Sequence, residues 1–197
     1  MTKSLAVAAL LLLIGCGSSR QVSRIGEDTT TDLSGEWNDT DARLIADEMI
    51  RDVLAQPWLE DFQEQHRKKP TVIVGRVLNR SHEHIETKTF VKNLERALLN
   101  SGKVEFVAGV DERDQLRSER KDQAKYASEE SQRAAGQEAG ADFMLIGTIT
   151  SIIDQEGGKK VKFYQTNLEL VNIETNRKVW IGEKKIKKLI SQDRFKL

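Results

Sequence analysis

The chain of 197 residues contains one cysteine, two prolines and three histidines. A single cysteine cannot close an internal disulfide, so no covalent framework stabilises the fold. Two prolines, Pro57 and Pro70, are too few for a proline-rich linker anywhere in the chain. No apolar run reaches the roughly 20 residues that a membrane-crossing helix needs, because the longest, residues 5–14, is half that length. An excess of one charge is also missing: 31 basic residues face 31 acidic ones, which gives no electrostatic reason to expect nucleic acid as a partner. Histidine is too sparse for most metal or acid–base constellations. In His82-Glu83-His84 the two rings stand at i and i+2, which diverge on a helix, and no third ligand follows at a recognisable spacing, so the triplet reads as a polar loop entering a helix. The glycines form no phosphate-binding loop, and no serine sits in a GxSxG elbow. The sequence therefore offers no catalytic, cofactor or metal site.

What is present begins at the amino end. Lys3 precedes the apolar core of residues 5–14, and Gly15 and Cys16 follow at once, which is the layout of a processing segment over residues 1–15. Leu13-Ile14-Gly15-Cys16 resembles the bacterial lipoprotein signal, in which the cysteine receives a diacylglyceryl thioether and becomes the acylated amino terminus. Cys16 is then a lipid attachment point; the other reading is a secreted protein cleaved near Gly15 with an incidental thiol. A lone thiol exported into an oxidising space favours the lipid. Gly17, in place of the aspartate that typically retains such proteins at the inner membrane, implies the periplasmic face of the outer membrane of a Gram-negative bacterium.

Residues 16–38 read as a lipidated arm that can lie against the domain through Leu33 and Trp37, and residues 39–197 as one α/β domain. Asn38 or Asp39 caps a first helix with Leu44 or Ile45, Met49 and Val53 or Leu54 at helical spacing. Pro57 interrupts it, and a short helix resumes over residues 58–66. Residues 71–79 form a β-branched strand, a helix that begins at Ser81 or near Glu86 is stopped by Gly102, and residues 103–107 form a second strand. Residues 111–141 are helical, with few large apolar side chains, and lie outside the layer or break in two. Three strands then follow over residues 142–154, 161–175 and 177–190, the first two joined at Gly157-Gly158. The expected fold is a mixed sheet in two or three layers: a parallel unit first, an antiparallel meander last.

Charge is unevenly distributed. Residues 22–61 carry three basic and eleven acidic side chains, whereas residues 183–197 carry six and two. A directional partner surface and ordinary solvated charge both fit that asymmetry. The candidate contact residues are Tyr164 and Trp180 with Lys184, Lys185, Lys187 and Lys188, since aromatics beside cations are common in interface hot spots. Core packing for Trp180, and protection of a strand edge for the lysines, are the competing roles.

The blocks TTTDLSGEWNDTDARLIADEMIRDVLAQPWLEDF, KKPTVIVGRVLNRSHEHI, ALLNSGKVEFVA, RSERKDQAKYAS and GADFMLIGTI, in this order behind a lipoprotein signal, resemble the LpoB family of outer-membrane lipoprotein activators of penicillin-binding proteins. The resemblance spans about residues 22–190. It implies a domain similar to the amino-terminal domain of TolB, no cofactor, and a non-enzymatic role. That role is docking on the regulatory domain of a class A penicillin-binding protein and stimulating its glycosyltransferase and transpeptidase activities. Well-known members carry a long proline-rich linker behind the lipid, which this chain lacks. A structural or assembly lipoprotein of an envelope secretion or appendage system is the alternative role for a domain of this type.

Overall fold

A computed structural model describes residues 21–126 and 139–191. The signal segment, Cys16, the part of the expected long helix at residues 127–138 and the last six residues lie outside the described residues.

Helix α1 (Asp39–Val53) opens with a reciprocal capping box. The Asn38 side chain accepts from the Asp41 N–H at 3.1 Å, and the Asp41 carboxylate accepts from the Asn38 N–H at 3.0 Å. These two bonds satisfy donors that a helix start leaves without partners. Helix α2 (Trp58–His66) restarts directly after Pro57, whose φ of −58° already suits a helix. Strand β1 (Thr71–Arg80) follows, then α3 (Thr87–Asn100), β2 (Glu105–Phe106), α4 (Val110–Tyr126) and the long strands β3 (Phe143–Glu156), β4 (Lys159–Asn172) and β5 (Lys178–Ser191).

The sheet order is β2-β1-β3-β4-β5. β1 pairs in parallel with β2 and β3, while β3, β4 and β5 form the antiparallel meander. β2 is shorter than the sequence predicts: only Glu105 and Phe106 pair, opposite Thr71 and Val72, before the chain leaves for α4. β3 runs two residues further than predicted, to Glu156, and β4 is shifted toward the turn, beginning at Lys159 and ending at Asn172, with pairing maintained from Phe143↔Asn172 to Glu156↔Lys159. Gly157 and Gly158, at φ +57° and +83°, close the turn in a conformation that side-chain-bearing residues resist.

Helices α1, α2 and α3 cover one face of this sheet. Ile45, Met49, Phe90 and Leu94 meet Val72, Val74, Leu145, Ile149, Leu168, Leu170 and Trp180 in one contiguous core. The strand alternation decides which residues enter it: Tyr164, Thr166, Leu168 and Leu170 on β4 point inward, and their odd-numbered neighbours point to the opposite face. Among the described residues no helix packs broadly on that opposite face, so the domain has two layers there.

Candidate functional site

Two regions follow from this layering: the sheet face left uncovered over β3, β4 and β5, and a cluster of charged side chains beneath it on the helix side.

The cluster sits where the amino-terminal arm meets the sheet. Lys162 is 3 % exposed, and its ammonium lies 2.5 Å from Glu83 and 3.5 Å from Glu36. The same Glu83 oxygen accepts the Tyr164 hydroxyl at 2.7 Å, and its other oxygen accepts the Trp37 N–H at 3.1 Å. Lys188 reaches Asp41 at 2.6 Å, Asp32 at 2.7 Å and the Glu36 carbonyl at 3.0 Å. Trp37 closes the cluster with its ring edge-on to Phe90 and Tyr164, at 6.1 and 5.8 Å between centroids. Residues 31–38 are thereby strapped to the domain. Leu33, expected to help, is instead exposed, because the ion pairs and Trp37 already fix the segment.

Burial alone would raise the Glu83 carboxyl. The hydrogen bonds from Lys162, Tyr164 and Trp37 outweigh it, so the group is held below its ordinary value of 4.5. Burial and the neighbouring Glu83 carboxylate push the Tyr164 hydroxyl far up, keeping it a donor. Lys188 is raised too, because Asp32 and Asp41 more than offset the penalty of burial. A carboxyl depressed in the fold stabilises the folded state fully above its unfolded value and loses that contribution as pH falls through the folded one. Wild-type protein is therefore expected to lose unfolding free energy on acidification below about pH 4.5, more steeply than the Glu83→Gln variant. Urea midpoints at pH 7 and across pH 5 to 3 measure the difference.

The uncovered face is built from the other strand parity. Across it run the pairs Ile152↔Phe163↔Lys187 and Asp154↔Val161↔Leu189, followed by Gln165↔Lys185, Asn167↔Glu183 and Glu169↔Ile181. Ile181, Ile152 and Leu189 are 61 %, 64 % and 69 % exposed, so the face presents apolar side chains that nothing among the described residues covers. Lys187 is exposed with no side-chain partner among the described residues, and Lys185 pairs only with its strand neighbour Glu183.

This placement divides the six residues singled out from sequence. Tyr164, at 0 % exposure, and Trp180, at 7 %, belong to the core, and the Trp180 indole N–H donates to Asp52 at 2.8 Å. Neither offers a surface to a partner. Their even positions face the helices, as do those of Lys184, which pairs with Glu48, and Lys188, which joins the buried cluster. Only Lys185 and Lys187 lie on the uncovered face. Sequence reasoning met Glu83, the hub of the cluster, only within a triplet read as a polar loop, and it passed over Lys162. The parity of β4, which sets Lys162 beside Tyr164 and Leu168 on one side of the strand, is the signal that points to the lysine.

His82, the neighbour of Glu83, places its ring Nδ1 3.0 Å from the Ser151 hydroxyl, and its backbone N–H donates to the same oxygen at 2.9 Å. Glu83 turns inward from between His82 and His84. The three side chains of the triplet thus do not converge, and each is engaged or exposed by itself.

A family model described as "Peptidoglycan-synthase activator LpoB" matches residues 41–186. Among solved structures, the LpoB C-terminal domain from Escherichia coli is similar at 18 % identity, with a TM-score of 0.45, covering 77 % of this chain and 99 % of that one. The NMR structure of E. coli LpoB is similar at 14 % identity with a TM-score of 0.38, over 98 % of this chain and 91 % of that one. Lipoprotein GNA1162 from Neisseria meningitidis is similar at 14 % identity with a TM-score of 0.42, over 64 % and 88 %. No curated protein matches.

Proposed function

The chain belongs to the LpoB family, and on that premise we propose that it is an outer-membrane lipoprotein that binds the regulatory domain of a class A penicillin-binding protein and stimulates its glycosyltransferase and transpeptidase activities. Members of the family activate rather than catalyse, and the chain is not an enzyme. The observation that carries the reading is the family match over nearly the whole α/β domain. The domain's likeness to the amino-terminal domain of TolB belongs to the same proposal, as does the division into a signal segment (1–15), a lipidated arm (16–38) and a domain (39–197).

Docking is assigned to the uncovered face of β4 and β5. Ile152, Phe163, Ile181 and Leu189 supply apolar contact, and Lys185 and Lys187 supply charge beside it. Apolar centres flanked by cations suit a partner surface better than scattered lysines do. Lys184 and Lys188 have no part in it, being held by Glu48 and by Asp32 and Asp41.

Anchoring through Cys16 sets the reach. Among the described residues no helix is long and apolar enough to cross a membrane. With residues 31–38 strapped to the domain and the Asp28 carbonyl accepting from Arg43 at 3.2 Å, only residues 17–27 remain as tether, about 36 Å at about 3.3 Å per residue. An arm extended as far as Asn38 would give about 70 Å. The strap therefore brings the domain closer to the membrane that the lipid enters, which limits where a synthase can be engaged.

Full-length lipidated protein in detergent is expected to accelerate glycan-chain synthesis by the cognate class A synthase. The Lys187→Glu, Leu189→Glu double variant is expected to need at least about tenfold more protein for half-maximal stimulation, with its urea midpoint little changed. Stimulation retained at wild-type concentrations would remove this face from the interface. No stimulation of any class A synthase from the same cell would remove the activator function itself.

A further inference from the structure

The strap is held to the domain without backbone pairing. Among the described residues, no backbone-to-backbone hydrogen bond joins residues 28–37 to the sheet or to a helix. Side chains make the ties instead: Arg43 donates to the Asp28 carbonyl at 3.2 Å, Lys188 to the Glu36 carbonyl at 3.0 Å, and the Trp37 N–H to the Glu83 carboxylate at 3.1 Å. We propose that the strap is a releasable latch, which opens while the α/β domain stays folded and so lengthens the tether behind Cys16 from about 36 Å to about 70 Å.

The division of charge in the cluster permits this. Each lysine has one carboxylate partner on the strap and one on the domain. Lys162 lies 3.5 Å from Glu36 of the strap and 2.5 Å from Glu83, and Lys188 lies 2.7 Å from Asp32 of the strap and 2.6 Å from Asp41 of α1. The two sides differ in burial. The side chains of Asp32 and Glu36 are 47 % and 62 % exposed, whereas those of Asp41 and Glu83 are 6 % and 11 % exposed. Lifting the strap therefore moves two half-solvated carboxylates into water and leaves each lysine with its buried counter-charge. Breaking a buried pair is costly when it strands a charge, and here none is stranded. Four carboxylates around two lysines also repel one another in the closed cluster, which opening relieves.

Trp37 and Gly35 hold the latch shut. The Trp37 ring stands edge-on to both Phe90 and Tyr164. Gly35, at φ +69°, lets the strap lie against Ile190, where a Cβ would come within 2.4 Å of that side chain. The ties follow one another along the chain, at Asp28, Asp32, Glu36 and Trp37, so tension arriving through the tether peels them singly from the amino end. A segment with so few buried contacts opens locally at lower free energy than the core. The gain in reach rests on the proposed anchor at Cys16; the opening itself rests neither on the anchor nor on a synthase.

Amide exchange at Trp37, followed by NMR on the full-length protein in detergent, tests the latch. At about 0.05 M salt the Trp37 N–H is expected to be protected, yet to exchange at least about 100-fold faster than the Leu168 and Leu170 amides of β4, at a rate that urea below the unfolding midpoint leaves unchanged. Raising salt to about 1 M should speed it about tenfold, because the strap carboxylates are exposed enough to be screened. The Asp32→Asn, Glu36→Gln variant should show the faster rate at low salt, lose the salt dependence and keep its urea midpoint. Adding Trp37→Ala should give residues 28–36 backbone order parameters as low as those of residues 21–27, while the α1 amides stay protected. An unprotected Trp37 N–H, exchange only through global unfolding, a rate indifferent to salt, or residues 28–36 still ordered in the triple variant would each overturn the proposal. A protein that stimulates no synthase but opens its strap in this way keeps the latch and loses only the activator role.

Discussion

Replacing Lys162 with alanine is expected to destabilise the domain by about 3 to 5 kcal/mol, the range found when one partner of a buried ion pair is removed. The Lys162 side chain is 3 % exposed, and without its ammonium the Glu83 carboxylate keeps only the Tyr164 hydroxyl and the Trp37 N–H. Glu83 then has to bear most of its desolvation alone or take up a proton. For a domain of this size each kcal/mol corresponds to about 2 to 4 °C, so the melting temperature should fall by about 6 to 20 °C. The strap is expected to loosen as well, since Lys162 also faces Glu36 and Glu83 holds Trp37. Amide exchange over residues 31–38 reports that loosening separately from global unfolding. Pairing Lys162→Met with Glu83→Gln removes both charges together and should recover most of the loss, because an apolar replacement for a buried pair is often near neutral. Urea unfolding of the two variants decides between an ion pair that stabilises and one that is merely costly to break.

Trp180→Ala is expected to cost about 3 to 5 kcal/mol through the cavity it leaves. Trp180 packs in the core that α1 closes over β5, and Asp52 accepts its indole N–H at 2.8 Å. Gly182 permits this arrangement, since a Cβ there would lie 2.0 Å from the indole ring. Trp180→Phe retains much of the apolar volume and should cost less, the difference including the bond to Asp52. If Trp180 were an exposed partner anchor, alanine would instead abolish synthase stimulation at an unchanged urea midpoint. Stimulation measured at a temperature where the variant remains folded separates the two outcomes. The burial of Trp180 predicts a large loss of stability and, under the proposed activator role, near-normal stimulation per folded molecule.

Much of the fold was legible along the chain because its causes are local. Asn38 or Asp39 ahead of apolar residues at helical spacing announces a capped helix start, and Asn38 is the cap that starts α1. Gly157-Gly158 between two β-rich runs announces a tight turn, and Gly102, at φ +64°, ends α3. The β-branched run of residues 71–74 reads as a strand covered on both faces, and all four of these residues are buried. Element lengths were less legible. β2 shrinks to two residues because only Thr71 and Val72 oppose it, and β3 and β4 extend at their turn ends because they pair all the way to the turn.

The placement of charge was not legible in the same way. An alternating strand divides into two faces by sequence alone, yet only the helices decide which face is inside. Once α1 lies over β5, Trp180, Lys184 and Lys188 turn inward together, and Lys185 and Lys187 turn outward together. The lysine run that looked like one basic patch is thus split between a buried cluster and an exposed face. Glu83 shows the same limit, because its partners Trp37, Lys162 and Tyr164 lie 46 to 81 positions away.

The sequence by itself determined the order and kind of the elements, their caps and turns, and the blocks that mark the LpoB family. Each of these depends on residues within a few positions of one another. Only the tertiary structure decided which sheet face stays uncovered and that the arm is strapped by two lysines rather than held by Leu33. Those features depend on contacts between segments remote in sequence, which exist only once the helices have closed one side of the sheet.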